Sequence, residues 1–67
     1  MFLKVTDEQY LEYCVKFLEY LSTCDYEGYL ALDASLKVIK SQATTVDRDC
    51  IYHNLHEFYR MKGEEYA

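Results

Sequence analysis

Apolar side chains recur along the chain at spacings of three and four, in three runs separated by short polar breaks near Cys24 and Ala43. That period belongs to α-helices with one face turned inward. Thr6 followed by Gln9 forms a capping box, and Val5 and Tyr10 take the positions of a hydrophobic staple around it, so a first helix is predicted from Asp7 to Ser22 or Thr23. Asp25 is placed to cap a second helix from Tyr26 to about Gln42, with Glu27 in its first turn and Lys37 and Lys40 in its later turns, as the helix dipole favours. Thr44 or Thr45 is placed to cap a third, from Val46 to about Lys62, with Asp47 and Asp49 near its positive end and Arg60 and Lys62 near its negative end. Residues after Gly63 are expected to fray. Phe2-Leu3-Lys4-Val5 is apolar enough for a strand but has no partner strand, so an extended arm is expected there. Links this short turn consecutive helices antiparallel. The expected fold is all-α, a small antiparallel three-helix bundle with a short extended N-terminal arm, residues 1–67 forming one domain.

Placed at 100° per residue, the second helix has a narrow inward stripe of Tyr29, Leu32, Leu36, Ile39 and Ala43. The first helix is broader: Leu11, Cys14, Val15, Leu18 and Leu21 form one apolar face, and Tyr10, Tyr13, Phe17, Tyr20 and Cys24 extend it to roughly 220°. The third helix is similar, with Ile51, Leu55 and Phe58 at its centre, Cys50 and Met61 on one side, and Tyr52 and Tyr59 on the other. A helix in a three-helix monomer buries a stripe of about 100° or a little more, so the surplus is either enclosed or turned toward a partner. Eight tyrosines in 67 residues sharpen the question, because tyrosine combines apolar area with a hydroxyl that tolerates water. Two readings stay open. In one the rings lie on the bundle with their hydroxyls at the rim. In the other Tyr10, Tyr13, Phe17 and Tyr20, joined by Tyr52 and Tyr59, form a partner-binding surface rimmed by Glu12 and Glu19. A second copy is the most economical partner, since a chain this short enlarges its core by pairing.

Charge narrows the classes further. The formal net charge is −5, and residues 1–33 hold seven acids against two bases. Lys37, Lys40, Arg48, Arg60 and Lys62 are diluted among acids, so neither a phosphate backbone nor an anionic membrane surface is an expected partner. No apolar run approaches a membrane span, and Met1-Phe2-Leu3-Lys4-Val5 lacks the features of a signal peptide, so a cytoplasmic location is expected. Cys14, Cys24 and Cys50 are odd in number and contain no CxxC pair, which fits reduced thiols. Cys14 and Cys50 are expected as small core side chains, and Cys24 lies near a helix end where solvent reaches it.

Asp49, His53 and Glu57 stand four apart on the third helix, yet a closed metal site needs ligands from elsewhere as well. His53-Asn54-Leu55-His56-Glu57 is not the HExxH pattern. Helix-surface pairs of Asp49 with His53 and of His56 with Arg60 are expected, and no metal or cofactor. With no glycine-rich phosphate loop, and Cys50 expected on the apolar side away from His53, an enzyme is not expected either. The expected function is a small acidic protein–protein interaction module, a regulator or inhibitor of a larger protein acting sterically or allosterically, or a homodimer. In composition the chain resembles the small acidic helical inhibitors that phages and mobile elements encode, an association that no motif carries. The alternatives are a nucleic-acid mimic, in which Asp7, Glu8, Glu12 and Glu19 stand in for phosphates, and a metal-responsive helical module.

Overall fold

The computed structural model describes residues 5–67, so of the arm expected at Phe2-Leu3-Lys4-Val5 all but Val5 lies outside the described residues. Three helices follow one another, α1 (Asp7–Thr23), α2 (Tyr26–Ser41) and α3 (Val46–Glu65), and each packs against the other two. Their starts obey the side-chain chemistry of the links. Gln9 N–H donates to Thr6 Oγ1 at 3.2 Å while Thr6 N–H donates to Gln9 Oε1 at 2.9 Å, a reciprocal capping box. Gly28 N–H donates to Asp25 Oδ1 at 2.8 Å, and Arg48 N–H to Thr45 Oγ1 at 3.2 Å, which makes Thr45 rather than Thr44 the third cap. Each such cap contributes about 1 kcal/mol. Contacts between the start of α1 and the start of α3, and between the end of α2 and the start of α3, set α1 parallel to α3 and α2 antiparallel to both.

The core consists of Tyr10, Cys14, Phe17 and Leu21 from α1, Leu32, Leu36 and Ile39 from α2, and Leu55 from α3. The stripe expected on α2 is the buried one. On α1 the inward axis runs along Tyr10, Cys14, Phe17 and Leu21, so two residues expected at a partner surface, Tyr10 at 1% exposure and Phe17 at 2%, are core instead. Leu11, Val15 and Leu18, expected inside, are exposed. α3 turns in the same sense: Leu55 is buried, Ile51, Tyr52 and Tyr59 are half-buried, and Phe58, Met61 and Cys50 face out. The expectation of a core Cys50 is therefore corrected. The physical reason is that burying the aromatic side of α1 satisfies its polar tip: Tyr10 O–H donates to the Arg48 carbonyl at 2.9 Å, so the ring is buried with its hydroxyl paired.

Arg48 is the main polar member of the interior, only 8% exposed. Its Nη2 donates to the Val5 carbonyl at 2.8 Å and to Asp7 Oδ1 at 2.8 Å, Nε reaches the same carboxylate at 3.2 Å, and Nη1 donates to the Gln42 carbonyl at 3.2 Å. The guanidinium carbon also sits 4.9 Å from the centre of the Tyr10 ring. One side chain thereby ties the segment before α1, the start of α1, the end of α2 and the start of α3. Asp7 itself is largely solvated, its side chain 87% exposed, so the ion pair adds little and the two carbonyl contacts carry most of the gain. Gln42, also buried, keeps its side-chain oxygen without a hydrogen-bond partner among the described residues.

At the other end α3 continues to Glu65, past the end expected at about Lys62. Aromatic packing holds it. Tyr29 and Tyr59 stack with centroids 4.3 Å apart and planes at 11°, and Tyr66 meets Tyr26 edge-on at 5.3 Å. Tyr59 O–H donates to the Tyr29 carbonyl at 3.1 Å, and Tyr66 O–H to the Cys24 carbonyl at 3.0 Å, across the α1–α2 link. Gly63 is what lets Tyr29 approach α3. A Cβ there would overlap the Tyr29 hydroxyl and stand 2.9 Å from its Cζ.

Two sets of variants measure these contacts by urea denaturation. Arg48→Met is expected to lose about 2 to 3 kcal/mol, because the Val5 and Gln42 carbonyls lose their donor, and Asp7→Asn less than about 1 kcal/mol; equal losses would mean the ion pair dominates. Gly63→Ala is expected to destabilise by about 1 kcal/mol despite gaining about 1 kcal/mol of helix propensity. That loss should shrink markedly in a Tyr29→Phe background, which removes the oxygen that a Cβ would strike, and a cycle with no coupling would sink the packing argument.

Candidate functional site

α1 is a helix with a completed core row and apolar side chains left over on both flanks. On the flank toward α2, exposed Tyr13, Tyr20 and Val38 border a groove of about 210 Å³ whose floor includes Phe17, Leu32 and Ile39. On the flank toward α3, Leu11, Val15, Leu18, Phe58 and Met61 are between 38% and 53% exposed. This second flank is a seam between two parallel helices, open because α1 and α3 have the thinnest of the three helix interfaces. One end of it is lined by Leu11, Ile51 and Asp47, the other by Leu18, Phe58, Met61 and Glu65. The seam is not legible as a surface in the sequence because Leu11, Val15, Leu18 and Phe58 sit on the apolar faces of their helices. The available signal was the width of the apolar arc on α1, which exceeds what three helices of this length enclose.

The residues expected to form one partner surface are distributed over three environments. Tyr10 and Phe17 are core, whereas Tyr13 and Tyr20 are exposed beside α2. Tyr52 and Tyr59 are half-buried against the core, Tyr59 held by its stack on Tyr29 and Tyr52 lying beside the rings of His53 and His56. They do not join Tyr13 and Tyr20 in one strip. Of the expected rim acids, Glu12 pairs with Lys16 at 3.3 Å, and Glu19 is exposed with its carboxylate in no ion pair among the described residues.

The polar face of α3 carries helix-surface pairs. His53 Nε2 lies 3.4 Å from Asp49 Oδ2, as expected. Arg60 does not pair with His56; its Nε and Nη2 grip both oxygens of Glu57 at 3.2 and 3.0 Å, and its Nη1 reaches Glu64 at 2.9 Å. A guanidinium finds a better partner in a carboxylate than in an imidazole that can itself become positive. Those hydrogen bonds, together with the charge of Arg60, hold the Glu57 carboxyl below its ordinary value. No group of three or more His, Cys, Asp or Glu among the described residues is arranged to hold a metal ion. Burial pushes the Cys14 thiol up, away from the thiolate a nucleophile needs, and Cys24 Sγ is directed at the Leu21 carbonyl, 3.4 Å away. No helix among the described residues is long and apolar enough to cross a membrane. Comparison with protein families, with characterised proteins and with solved structures finds nothing that matches this chain.

Burial also pushes two phenols up to about 12, Tyr10 inside the bundle and Tyr59 beneath the Tyr29 stack. An unfolded tyrosine ionises near 10, so above that pH the unfolded chain releases protons that the folded one retains. Stability contributed by these two groups is present in full below pH 10 and is lost as pH rises through about 12. In an alkaline titration followed by tyrosinate absorbance and circular dichroism, Tyr10 and Tyr59 should ionise late and together with loss of helicity. The double variant Tyr10→Phe and Tyr59→Phe should flatten that limb of the stability curve, and an unchanged slope would remove burial of these phenols as its cause.

Proposed function

We propose that this protein acts by binding another protein through the exposed apolar side chains of α1, as a small regulator or inhibitor that occupies its target's surface without chemistry of its own. One observation carries the reading: α1 fills the core with Tyr10, Cys14, Phe17 and Leu21, and still exposes Leu11, Tyr13, Val15, Leu18 and Tyr20. Apolar side chains crowded on one helix of so small a bundle are what a partner covers, since their burial is favourable at about 25 cal/mol per Å² and their exposure serves no internal contact. The acids of α1 set orientation more than strength. The phosphate-mimic alternative has weaker support, because Asp7 is engaged by Arg48 and Glu12 by Lys16, which breaks the row of free carboxylates.

The test places a photo-crosslinking side chain at Val15 or at Tyr20 and irradiates the protein in the cells it comes from. A discrete adduct is expected from at least one position. Leu18→Glu for the α3 flank, or Tyr13→Ala with Tyr20→Ala for the α2 flank, should weaken it about tenfold or more, with stability changed by no more than about 0.5 kcal/mol. Absence of any adduct at both positions, or adducts indifferent to all these substitutions, would remove the proposal.

A further inference from the structure

We infer that the seam between α1 and α3 receives a basic amphipathic helix of a partner protein, which lies along the seam as the fourth helix of a bundle; this rests on the interaction reading above and names the partner's chemistry. The shape of the seam is the first ground. α1 and α3 run parallel, and their exposed apolar residues follow helical spacing: Leu11, Val15 and Leu18 on one wall, Phe58 and Met61 on the other. Such a trough between two nearly parallel helices accepts the side-chain ridge of a third. From Leu11 to Ser22 the wall rises roughly 16 Å at 1.5 Å per residue, the length of three turns of a partner helix.

Charge selects the kind of helix. At 100° per residue Glu8 and Glu19 fall just beyond Val15 on the solvent side of α1, and Asp47 and Glu65 line the two ends of the seam on α3. None of the four forms an ion pair among the described residues, and neither do Asp25 and Glu27 at the start of α2, whereas Asp7, Glu12, Asp33, Glu57 and Glu64 do and Asp49 lies against His53. Two bases line the seam: Arg48 at one end, engaged by Asp7 and by backbone carbonyls, and Lys62 at the other, its ammonium 5.8 Å from the Tyr66 ring. Four of the six carboxylates without an ion pair among the described residues thus lie near the apolar trough, where a helix bearing Lys or Arg on either side of an apolar stripe would neutralise them. The same charges disfavour a second copy of this chain, which would set Glu8 and Glu19 against their own equivalents on two molecules that each carry −5. The groove beside α2 differs in this respect, since none of its lining residues is an acid.

The experiment titrates the intact protein with three synthetic peptides of about 18 residues, long enough to hold a helix. One carries a leucine stripe at helical spacing flanked by Lys and Arg, one the same stripe flanked by Glu, and one the basic composition in an order that destroys the stripe. Binding is read from the methyl and aromatic resonances of the protein. The basic amphipathic peptide should bind at one to one, at least tenfold more tightly than either control, and should shift Leu11, Val15, Leu18, Phe58 and Met61 while leaving Tyr13, Tyr20 and Val38 in place. Salt should weaken it, and Glu19→Lys with Glu65→Lys should reverse the preference toward the Glu-flanked peptide, in a variant whose circular dichroism is unchanged. Equal binding of the Glu-flanked or the scrambled peptide, shifts confined to the α2 groove, no binding at all, or a concentration-dependent dimer that buries the seam would each overturn the assignment. The crosslinking adduct separates the two levels: an adduct without this peptide preference leaves protein binding standing and removes only the basic helix.

Discussion

The bundle depends on the buried guanidinium of Arg48. Three helices of this length meet at one end in a set of backbone carbonyls and link residues that the helices themselves leave unsatisfied, and Arg48 supplies donors in a planar fork that reaches several of them together. Its own carbonyl accepts from Tyr10, so the residue that gathers the links also fixes which side of α1 points inward. Burial of a charged side chain is tolerated here because its hydrogen bonds are made and the carboxylate it meets stands at the surface, where water solvates it.

The setting of α1 follows from that contact. Once Tyr10 is held against α3, Phe17 falls two turns further along the same face, near Tyr59 at 6.3 Å, and the aliphatic flank of Leu11, Val15 and Leu18 is turned out of the core. The opposite end is closed by tyrosines stacked across α2 and α3, with Gly63 giving Tyr29 the room it needs. The two ends are therefore fixed by different means, a polar clamp and an aromatic stack, and the seam of α1 with α3 between them is the part left least covered.

That division bears on function. The exposed apolar residues are a consequence of how α1 is rotated, and beside them lie Asp47 and Glu65, which form no ion pair among the described residues. The proposed docking surface is the one that combines exposed apolar side chains with nearby acids. In the interior, burial pushes the Cys14 thiol and the phenols of Tyr10 and Tyr59 up toward their neutral forms.

Helix number, their starts and the inward stripe of α2 were legible in the sequence, because caps such as Thr6 with Gln9, and Asp25, act within three residues and periodicity acts within one helix. The length of α3 was misread for a related reason: Gly63 looks like a stop signal locally, and only the ring of Tyr29, thirty-four residues earlier, makes it a packing position. On α1 the local pattern defined an apolar arc wider than the core could take, without saying which half would be covered. That choice rested on Arg48, thirty-eight residues away from Tyr10, whose carbonyl gives the phenol a buried partner. The sequence by itself thus determined the three-helix class and the acidic balance of the chain, both sums of local preferences. Which apolar residues became core and which became surface was decided only by the tertiary structure, because burying a polar-tipped aromatic requires a hydrogen-bond partner that another helix must bring.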